Sequence, residues 1–533
     1  MLNILVVDCL ARAGGSRYST FDVAGAGPRI VAGLVEEHGF NVKLEAYELA
    51  IKKRFDNIHL LFISAMSSDI LAVRKFIYNA VKRGFRGIVV LGGPVSIGYR
   101  DVLSRFEEID YVVVGEGEIP VEKILVHIDA LISRDENVLR KIPALAYRNS
   151  SGDVVLTTPP IHTPIDKLSK LKPWVRVNES YPYYRAIRFY VEVVRGCSNF
   201  RRPRIKSGEL KCIDCGFCLS NDFKIRLKCP SNIPPGCGFC SVPYVFGSPR
   251  SRSVDSIVDE IEGLISHGAE RIVLSAPDLL DYGREKLVEP NPLTDPCYPN
   301  ANIDALEDLL NAIFSIEDVA SGRVTVMVEN VKSCLVNEDV AKLLGRFFKD
   351  TSIHIGVETG DDWFNDYVLG KPISSKQVVN AVKLLREAGL RPCIYLMHSL
   401  PFENIRVYDN TVKLVKQLAK IGVEKITLYK FKPIPGSAFE KLKVETCFPR
   451  EVNRLKKIVS RVNRVGKKAY LNRTLEVYIV KNSRGCYGYP VKHGPVVVVK
   501  NTCRDSDEGY KAIVKITGVS DRVVYGEVLR EIY

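Results

Sequence analysis

The chain has 533 residues, of which 46% are hydrophobic and 26% charged. At about 150 residues per domain that length excludes a single small module, and the balance excludes a disordered or fibrous chain. Lys and Arg number 76 against 62 Asp and Glu, a net charge of +14, which favours an anionic partner such as nucleic acid or a membrane surface.

No stretch reaches the ~18 apolar residues that a membrane span needs, and the apolar start carries Asp8 with no basic region before it. A soluble, cytoplasmic protein is expected. Short β-rich runs at Asn3 to Asp8, Leu60 to Ser64, Gly87 to Leu91 and Tyr111 to Val114 alternate with amphipathic stretches, which predicts a doubly wound parallel α/β domain over residues 1–135. Gly92-Gly93-Pro94 and Gly115-Glu116-Gly117-Glu118 follow strand ends, where such sheets bind ligands. Residues 136–184, interrupted by Pro159, Pro160, Pro164, Pro173 and Pro182, read as a linker.

A second α/β region spans residues 185–449. Strands at Phe189 to Val194, Arg271 to Leu274, Val324 to Val328, Ile353 to Val357, Arg391 to Leu396 and Lys425 to Lys430 alternate with helical stretches. Six such repeats predict a full or partial (β/α) barrel. Residues 450–473 form a basic helix: Arg450, Arg454, Lys456, Lys457, Arg461, Arg464, Lys467, Lys468 and Arg473 stand against Glu451 alone. The last segment, 474–533, shows β-rich runs at Thr474 to Val480, Pro495 to Val499, Lys511 to Thr517 and Arg522 to Val528, which predict a small antiparallel barrel.

Fourteen Cys are too few for a disulfide scaffold in a chain of this size, and seven of them lie between Cys197 and Cys240, a bunching that points to metal. Cys237-Gly-Phe-Cys240 sets two thiols one turn apart. Cys212, Cys215 and Cys218 form CxxCxxC, and Cys229 precedes Pro230, the ferredoxin manner of holding a [4Fe-4S] cluster. Zinc also takes four thiolates, but successive two-residue gaps suit a cubane better than a zinc ribbon. Among the scattered remaining Cys, Cys334 and Cys393 read as core residues, and His398 as a satisfied polar contact.

Arg195-Gly196-Cys197 at a strand end, Cys237-Gly-Phe-Cys240-Ser-Val-Pro, Arg250-Ser-Arg-Ser253, Ile355-Gly-Val-Glu-Thr-Gly360, Leu369-Gly-Lys371 and Leu400-Pro401-Phe402-Glu403 together resemble the radical S-adenosylmethionine (SAM) enzymes, in their cobalamin-dependent and methylthiotransferase-like branches. The usual CxxxCxxC is absent. Two assignments are open: Cys197, Cys237 and Cys240 hold the catalytic [4Fe-4S] cluster, with Cys212, Cys215, Cys218 and Cys229 forming a second [4Fe-4S] cluster in an insertion at 198–236, or Cys229 joins Cys237 and Cys240. The first is preferred, because it keeps Cys197 at the strand end where the family's first ligand lies. The resemblance implies that three thiolates leave one iron open to chelate the methionine moiety of SAM, and that one electron cleaves SAM to methionine and a 5′-deoxyadenosyl radical. It implies further that Phe239, Leu400 and Pro401 lie near the adenine and that Glu358 faces the ribose or amino group. Asp278 stands where the family's Gly-Gly-Glu contacts the amino group.

The first domain resembles the cobalamin-binding domain that precedes many radical enzymes, with Ser67 or Ser68 facing the corrin and Gly92, Gly93, Gly115 and Gly117 admitting it. Its DxHxxG motif is absent, so retention and loss of cobalamin are both open. The last segment, through Gly485-Cys-Tyr-Gly488, Lys511 to Gly518 and Tyr525-Gly-Glu-Val528, resembles the RNA-binding TRAM barrel of tRNA methylthiotransferases.

The leading reading is therefore a radical SAM transferase, with or without cobalamin, that moves a methyl or sulfur-containing group to an unreactive carbon of RNA or another large anionic substrate, with tRNA as a candidate partner for the basic helix and barrel and with a ferredoxin or flavodoxin as electron donor. Two others stand beside it: a radical SAM/cobalamin enzyme acting on a lipid or small molecule, and an RNA-binding iron–sulfur protein without radical chemistry.

Overall fold

The computed structural model describes residues 2–13, 23–482, 485–501 and 503–532. They divide into two compact units, residues 1–191 with 252–270, and residues 192–251 with 271–533. No helix among them is long and apolar enough to cross a membrane.

The first unit is built on a seven-stranded sheet. Asn41–Ala46, Asn3–Asp8, Leu60–Ser64, Ile88–Gly92 and Tyr111–Val113 run parallel in that order. Leu145–Arg148 and Val154–Leu156 extend the sheet antiparallel, so the segment read as a linker contributes structure. Its prolines lie mostly beyond these strands. The central strands are apolar along their length because helices cover both faces, and Leu5, Val7, Leu61, Ile63, Val89 and Leu91 share a core with Val73, Phe76 and Ile77 of the Ile70–Lys82 helix. The strand order reverses between Asn3–Asp8 and Leu60–Ser64, the switch point of a doubly wound sheet.

Sequence pattern places the helix Val254–Ser266 in the barrel, yet it groups with the first unit. Its buried Glu260 accepts from Arg29 at 2.7 Å and pairs with Arg252. A carboxylate between the distant Arg29 and the nearby Arg252 is an electrostatic tie that hydrophobic periodicity does not report.

In the second unit Arg271–Ser275 and Thr325–Val328 pair in parallel. An Asn330–His354 bridge leads to Ser352–Glu358, which is followed in parallel by Arg391–His398 and Lys425–Lys430. The approach to the first cysteine joins the other edge, where Val193 N donates to Ser275 O at 2.9 Å. Helices return each strand, and four of them start from side-chain caps at Asn302, Asn337, Ser374 and Asn404. The product is a partial barrel whose strand C-termini gather at one rim.

Residues 474–532 close into a five-stranded barrel, with Val497–Val499 parallel to Val524–Ile532 and the other pairs antiparallel. The strand Gly485–Pro490 was hidden by its glycines. This small barrel sits against the N-terminal rim of the strands: Arg271 donates to Pro490 O, and Ser352 Oγ meets His493 Nδ1 at 2.6 Å.

The cysteines depart from expectation. Cys334 is bonded to Cys297, and Cys486 to Cys503. The partners lie 37 and 17 residues apart, and spacing alone does not specify such pairing. Cys393 is buried and free, as read.

Candidate active site at the barrel rim

Cys197 leaves the short strand Val194–Arg195, which Arg195 anchors by pairing with Glu192 at 2.6 Å. Gly196 has φ of 89°, and a Cβ there would stand 2.3 Å from the Ser248 carbonyl oxygen, so only glycine turns the chain this closely. Cys197 N then donates to Gly247 O at 3.0 Å. The Cys237–Cys240 loop is held in the same way. Gly238 N donates to Leu369 O, its carbonyl accepts from Phe439 N, both at 2.8 Å, and a Cβ at Gly238 would run into the Phe439 ring.

These turns bring Cys197, Cys237 and Cys240 together, and each sulfur faces an N–H donor. Asn199 N lies 3.5 Å from Cys197 Sγ, Asn199 Nδ2 3.2 Å from Cys237 Sγ, and Val242 N 3.5 Å from Cys240 Sγ. Such donors favour thiolate over thiol. Burial works the other way, pushing Cys237 to about 11 and Cys240 to about 12. Asn199 also donates to Gly370 O at 3.0 Å, so one amide fixes the loop and a sulfur together. The sequence offered no role for Asn199; its only signal is its place two residues after Cys197.

Beside the thiols, Glu358 ends its strand at φ of 66° and accepts from Lys371 Nζ at 2.7 Å. Burial works against the Lys371 charge, but Glu358 and Cys237 hold its pKa above the ordinary lysine value. Lys371 also lies 6.0 Å from the Phe239 ring centre. Phe239 and Leu400 belong to one apolar cluster with Leu369, Phe431 and Phe439. Pro401 is half-buried next to Leu400, whose N–H donates to Glu403. His398 is buried against Ser399 Oγ at 3.0 Å, and burial, followed by Lys456 and Lys430, pulls its pKa down to about 4.

Asp278 is fully buried within the protein's own polar network. It pairs with Lys332 at 3.1 Å and accepts from Leu280 N and Lys332 N. Lys332 also reaches Asp281 at 2.6 Å and Ser198 Oγ at 2.7 Å, and Arg284 closes the network on Asp281. Burial raises the Asp278 pKa, whereas Lys332 and Arg284 outweigh burial at Asp281 and lower it. Removing the cation from two buried carboxylates is costly. Lys332→Met is expected to lose about 3–5 kcal/mol of stability, seen as an earlier transition in denaturant unfolding and partly restored by adding Asp281→Asn; a wild-type transition would contradict this account.

Cys212, Cys215, Cys218 and Cys229 line a separate cavity of about 240 Å³, together with Arg202, Arg204, Lys228 and Tyr367. The insertion around it has short 3₁₀ turns, Phe217–Leu219 and Ile225–Leu227, as its helices. Polar ties hold it: buried Arg202 donates to the carbonyls of Ile233 and Arg226 at 2.8 and 2.7 Å, and Leu210 and Ile233 enter the apolar cluster of the barrel rim. Asp214 N points at Cys212 Sγ from 3.4 Å. Cys229 thus stands with the ferredoxin-like set and Cys197 with the CxxC pair. Among the described residues no three Cys, His, Asp or Glu converge on the point that a single ion would occupy; the four sulfurs of the insertion border a wider cavity, and donor sets of three and four thiols suit clusters.

In the first unit, Gly92 has no atom within 4 Å of where a Cβ would stand, while Gly93 at φ of 85° approaches the Ala65 carbonyl. Gly115 has φ of 87°, and Gly117 precedes the helix Glu118–Val126. Ser67 is half-buried and Ser68 exposed at the next strand end. Open space is thus found above Gly92 at the end of an inner strand, whereas Gly93 lies against the Ala65 carbonyl and Gly115 against Pro160.

In the basic helix, Pro449–Lys467, and at Lys468 just past its end, the exposed residues Arg450, Arg454, Lys457, Arg461, Arg464 and Lys468 recur at three- and four-residue intervals, making one stripe about 28 Å long. Lys456 and Arg473 are also exposed. Lys467 is instead buried, its Nζ donating to Asp521 O, and Arg454 is paired with Asp409. The Lys467 position faces the small barrel, so pattern alone overcounts the surface charge by one.

The model for the radical SAM superfamily matches residues 228–415, and that for the B12 binding domain matches residues 17–125. An uncharacterized protein of Methanocaldococcus jannaschii is 35% identical over 99% of both chains. A tRNA-2-methylthio-N(6)-dimethylallyladenosine synthase of Fervidobacterium nodosum is 23% identical over 55% of this chain and 64% of its own. Among solved structures, the radical SAM methyltransferase TsrM of Kitasatospora setae, with cobalamin and a [4Fe-4S] cluster bound, covers 83% of this chain and 77% of its own at a TM-score of 0.57 and 14% identity.

Proposed function

The chain belongs to the radical SAM superfamily, in the branch that carries a B12-binding domain, and from that premise we propose that it is a cobalamin-assisted radical SAM transferase that places a methyl group on an unreactive carbon of RNA. The observation that carries this reading is the set of three thiols, each facing an N–H donor, beside the Lys371–Glu358 pair and Phe239.

Cys197, Cys237 and Cys240 would hold the catalytic cluster, and that cluster, when bound, supplies one electron to cleave SAM. Asn199 orients Cys237 and keeps negative charge on its sulfur. Lys371 neutralises charge beside the thiols and fixes the Glu358 carboxylate, which is left one oxygen to accept from a ribose or amino group. Phe239, Leu400 and Pro401 shield the adenine side from water. Asp278 holds Lys332, and through it Ser198, so it positions the segment after Cys197 and leaves the SAM amino group to other groups. In the first unit, Ser67, Ser68 and the strand-end glycines would seat cobalamin, which when bound carries the methyl group.

RNA as substrate is supported by the cation stripe. The basic helix starts close to the catalytic rim, where Phe448 meets the Tyr408 ring at 6.1 Å and Thr446 meets Ser399 at 3.0 Å. It ends at the small barrel, so the stripe offers a path for phosphates along the side of the molecule. Methyl transfer is favoured over methylthiolation because only Cys9 precedes Cys197, and a cluster held by all four thiols of the insertion would have no iron open.

The test is incubation of anaerobically reconstituted protein with SAM labelled in its methyl group, cobalamin, a reductant and total RNA from Methanocaldococcus jannaschii, the organism of a relative 35% identical to this chain. Label in a nucleoside with 5′-deoxyadenosine formed alongside is expected. Formation of 5′-deoxyadenosine without label in RNA would overturn the substrate.

A further inference from the structure

The turn that follows the strand Arg391–His398 holds an exposed ring at a strained position. Leu400-Pro401-Phe402-Glu403 is closed by Glu403 N donating to Leu400 O at 3.4 Å, and Phe402 has φ of 64°. Proline second and a positive φ third make a type II turn, whose third position favours glycine because a Cβ is crowded there. Phenylalanine occupies it instead, and Phe402 is 41% exposed. Burial therefore does not account for the choice of residue. The turn is anchored beneath: Glu403 accepts from Leu400 N at 3.0 Å and from the Tyr408 hydroxyl, and Leu400 is buried in the rim cluster with Phe239. So anchored, it holds Phe402 out beside the catalytic rim.

Two further large apolar side chains stand near this ring. Ile405, three residues on, is 52% exposed, and the Arg406 guanidinium lies 5.4 Å from the ring centre of Trp363, which is 53% exposed. The acids of this face are engaged: Asp361 pairs with Arg406 at 3.0 Å, Asp362 accepts from Ser375 N at 2.7 Å, and Asp366 pairs with Arg204. In the segment leading to Thr446, which meets Ser399, Lys441 and Lys443 balance Glu440 and Glu445. The patch is thus apolar and near neutral, a surface for a flat uncharged group and not for a phosphate. Cations for phosphates adjoin it. Arg454, in the first turns of the basic helix, pairs with Asp409, which lies four residues, about 6 Å of helix, beyond Ile405.

We propose that Phe402 is a stacking residue for an unpaired base, so that the substrate is a single-stranded region of RNA whose backbone follows the cation stripe and whose base lies on the Phe402 patch at the rim. The inference rests on the RNA reading above and narrows it: a duplex offers its phosphates but keeps its bases stacked on one another, whereas a loop can lay a base on an aromatic ring. Every base has such a face, so Phe402 selects for strandedness and not for sequence.

The test uses the reconstituted full chain with a tRNA transcript and, separately, a fully paired RNA duplex, by gel-shift titration at several salt concentrations, together with thermal unfolding and sedimentation velocity. Phe402→Gly is expected to weaken transcript binding roughly tenfold with the salt slope unchanged and without lowering the unfolding temperature, because glycine fits the turn. Phe402→Leu, which keeps apolar bulk and loses the ring, should bind as weakly, Phe402→Tyr should bind like wild type, and duplex binding should be the same in all. Wild-type affinity in Phe402→Gly or Phe402→Leu would overturn the stacking site, as would an equal loss on the duplex. Weaker binding accompanied by earlier unfolding would assign Phe402 to the fold instead, and a wild-type dimer that Phe402→Gly dissociates with RNA binding unchanged would assign the patch to a second copy of this chain. A wild type that does not bind the transcript, or binds it without salt dependence, would overturn the RNA reading itself.

Discussion

Cys240→Ala is expected to abolish 5′-deoxyadenosine formation and to remove about four of about eight irons per chain, while Cys218→Ala removes the other four and leaves the SAM-responsive centre in place. The asymmetry follows from the grouping of the sulfurs. Cys240 stands with Cys237 in the loop before the helix Val242–Phe246 and beside Cys197, its sulfur held by Val242 N. Cys218 lines the cavity of the insertion, facing Arg202. If Cys229 were the third catalytic ligand, Cys229→Ala would behave like Cys240→Ala and Cys197→Ala would be mild. The reverse order is expected under the proposed assignment, because the carbonyls of Arg226 and Leu227, between Cys218 and Cys229, accept from Arg202 while Asn199 donates to the Cys197 and Cys237 sulfurs. Iron analysis with product quantification on the four variants separates the two assignments.

The second large effect concerns RNA. Lys457→Glu, Arg461→Glu and Arg464→Glu together replace three exposed cations along a single face of the basic helix. Tight electrostatic binding to single-stranded RNA loses about 0.7 of a unit of salt slope per phosphate contact. The triple variant should therefore lower the slope by about two and weaken binding to a tRNA transcript by roughly 10²-fold at low salt, with SAM cleavage in the absence of RNA unchanged. Gel-shift titration at several salt concentrations reads both quantities. An unchanged slope would assign the stripe to solvent and leave the small barrel to carry any RNA contact.

How far the sequence led can be judged from particular residues. The strands Asn3–Asp8 and Leu60–Ser64 were readable because burial on both faces demands continuous apolar runs. Asn41–Ala46, which alternates Lys43 and Glu45 with apolar residues at the edge of the sheet, was not. The bunched cysteines declared metal, and their division into three and four was preferred on the position of Cys197. What the sequence could not supply were long-range polar ties. Asn199 to Cys237 spans 38 residues, Lys332 to Ser198 spans 134, and Arg29 to Glu260 spans 231; each is fixed by folding, and none leaves a periodic signature. Lys371 lay inside a quoted motif, but its role emerged only when Gly356 left room for it beside Glu358.

The central claim is a barrel-rim cluster with one iron open to SAM, next to a closed second cluster. Its most direct test is electron paramagnetic resonance of the dithionite-reduced, reconstituted protein before and after SAM is added. Two overlapping signals are predicted, of which one shifts with SAM and is missing in Cys240→Ala, while the other persists unchanged. A single signal that ignores SAM, with about four irons per chain, would contradict the account.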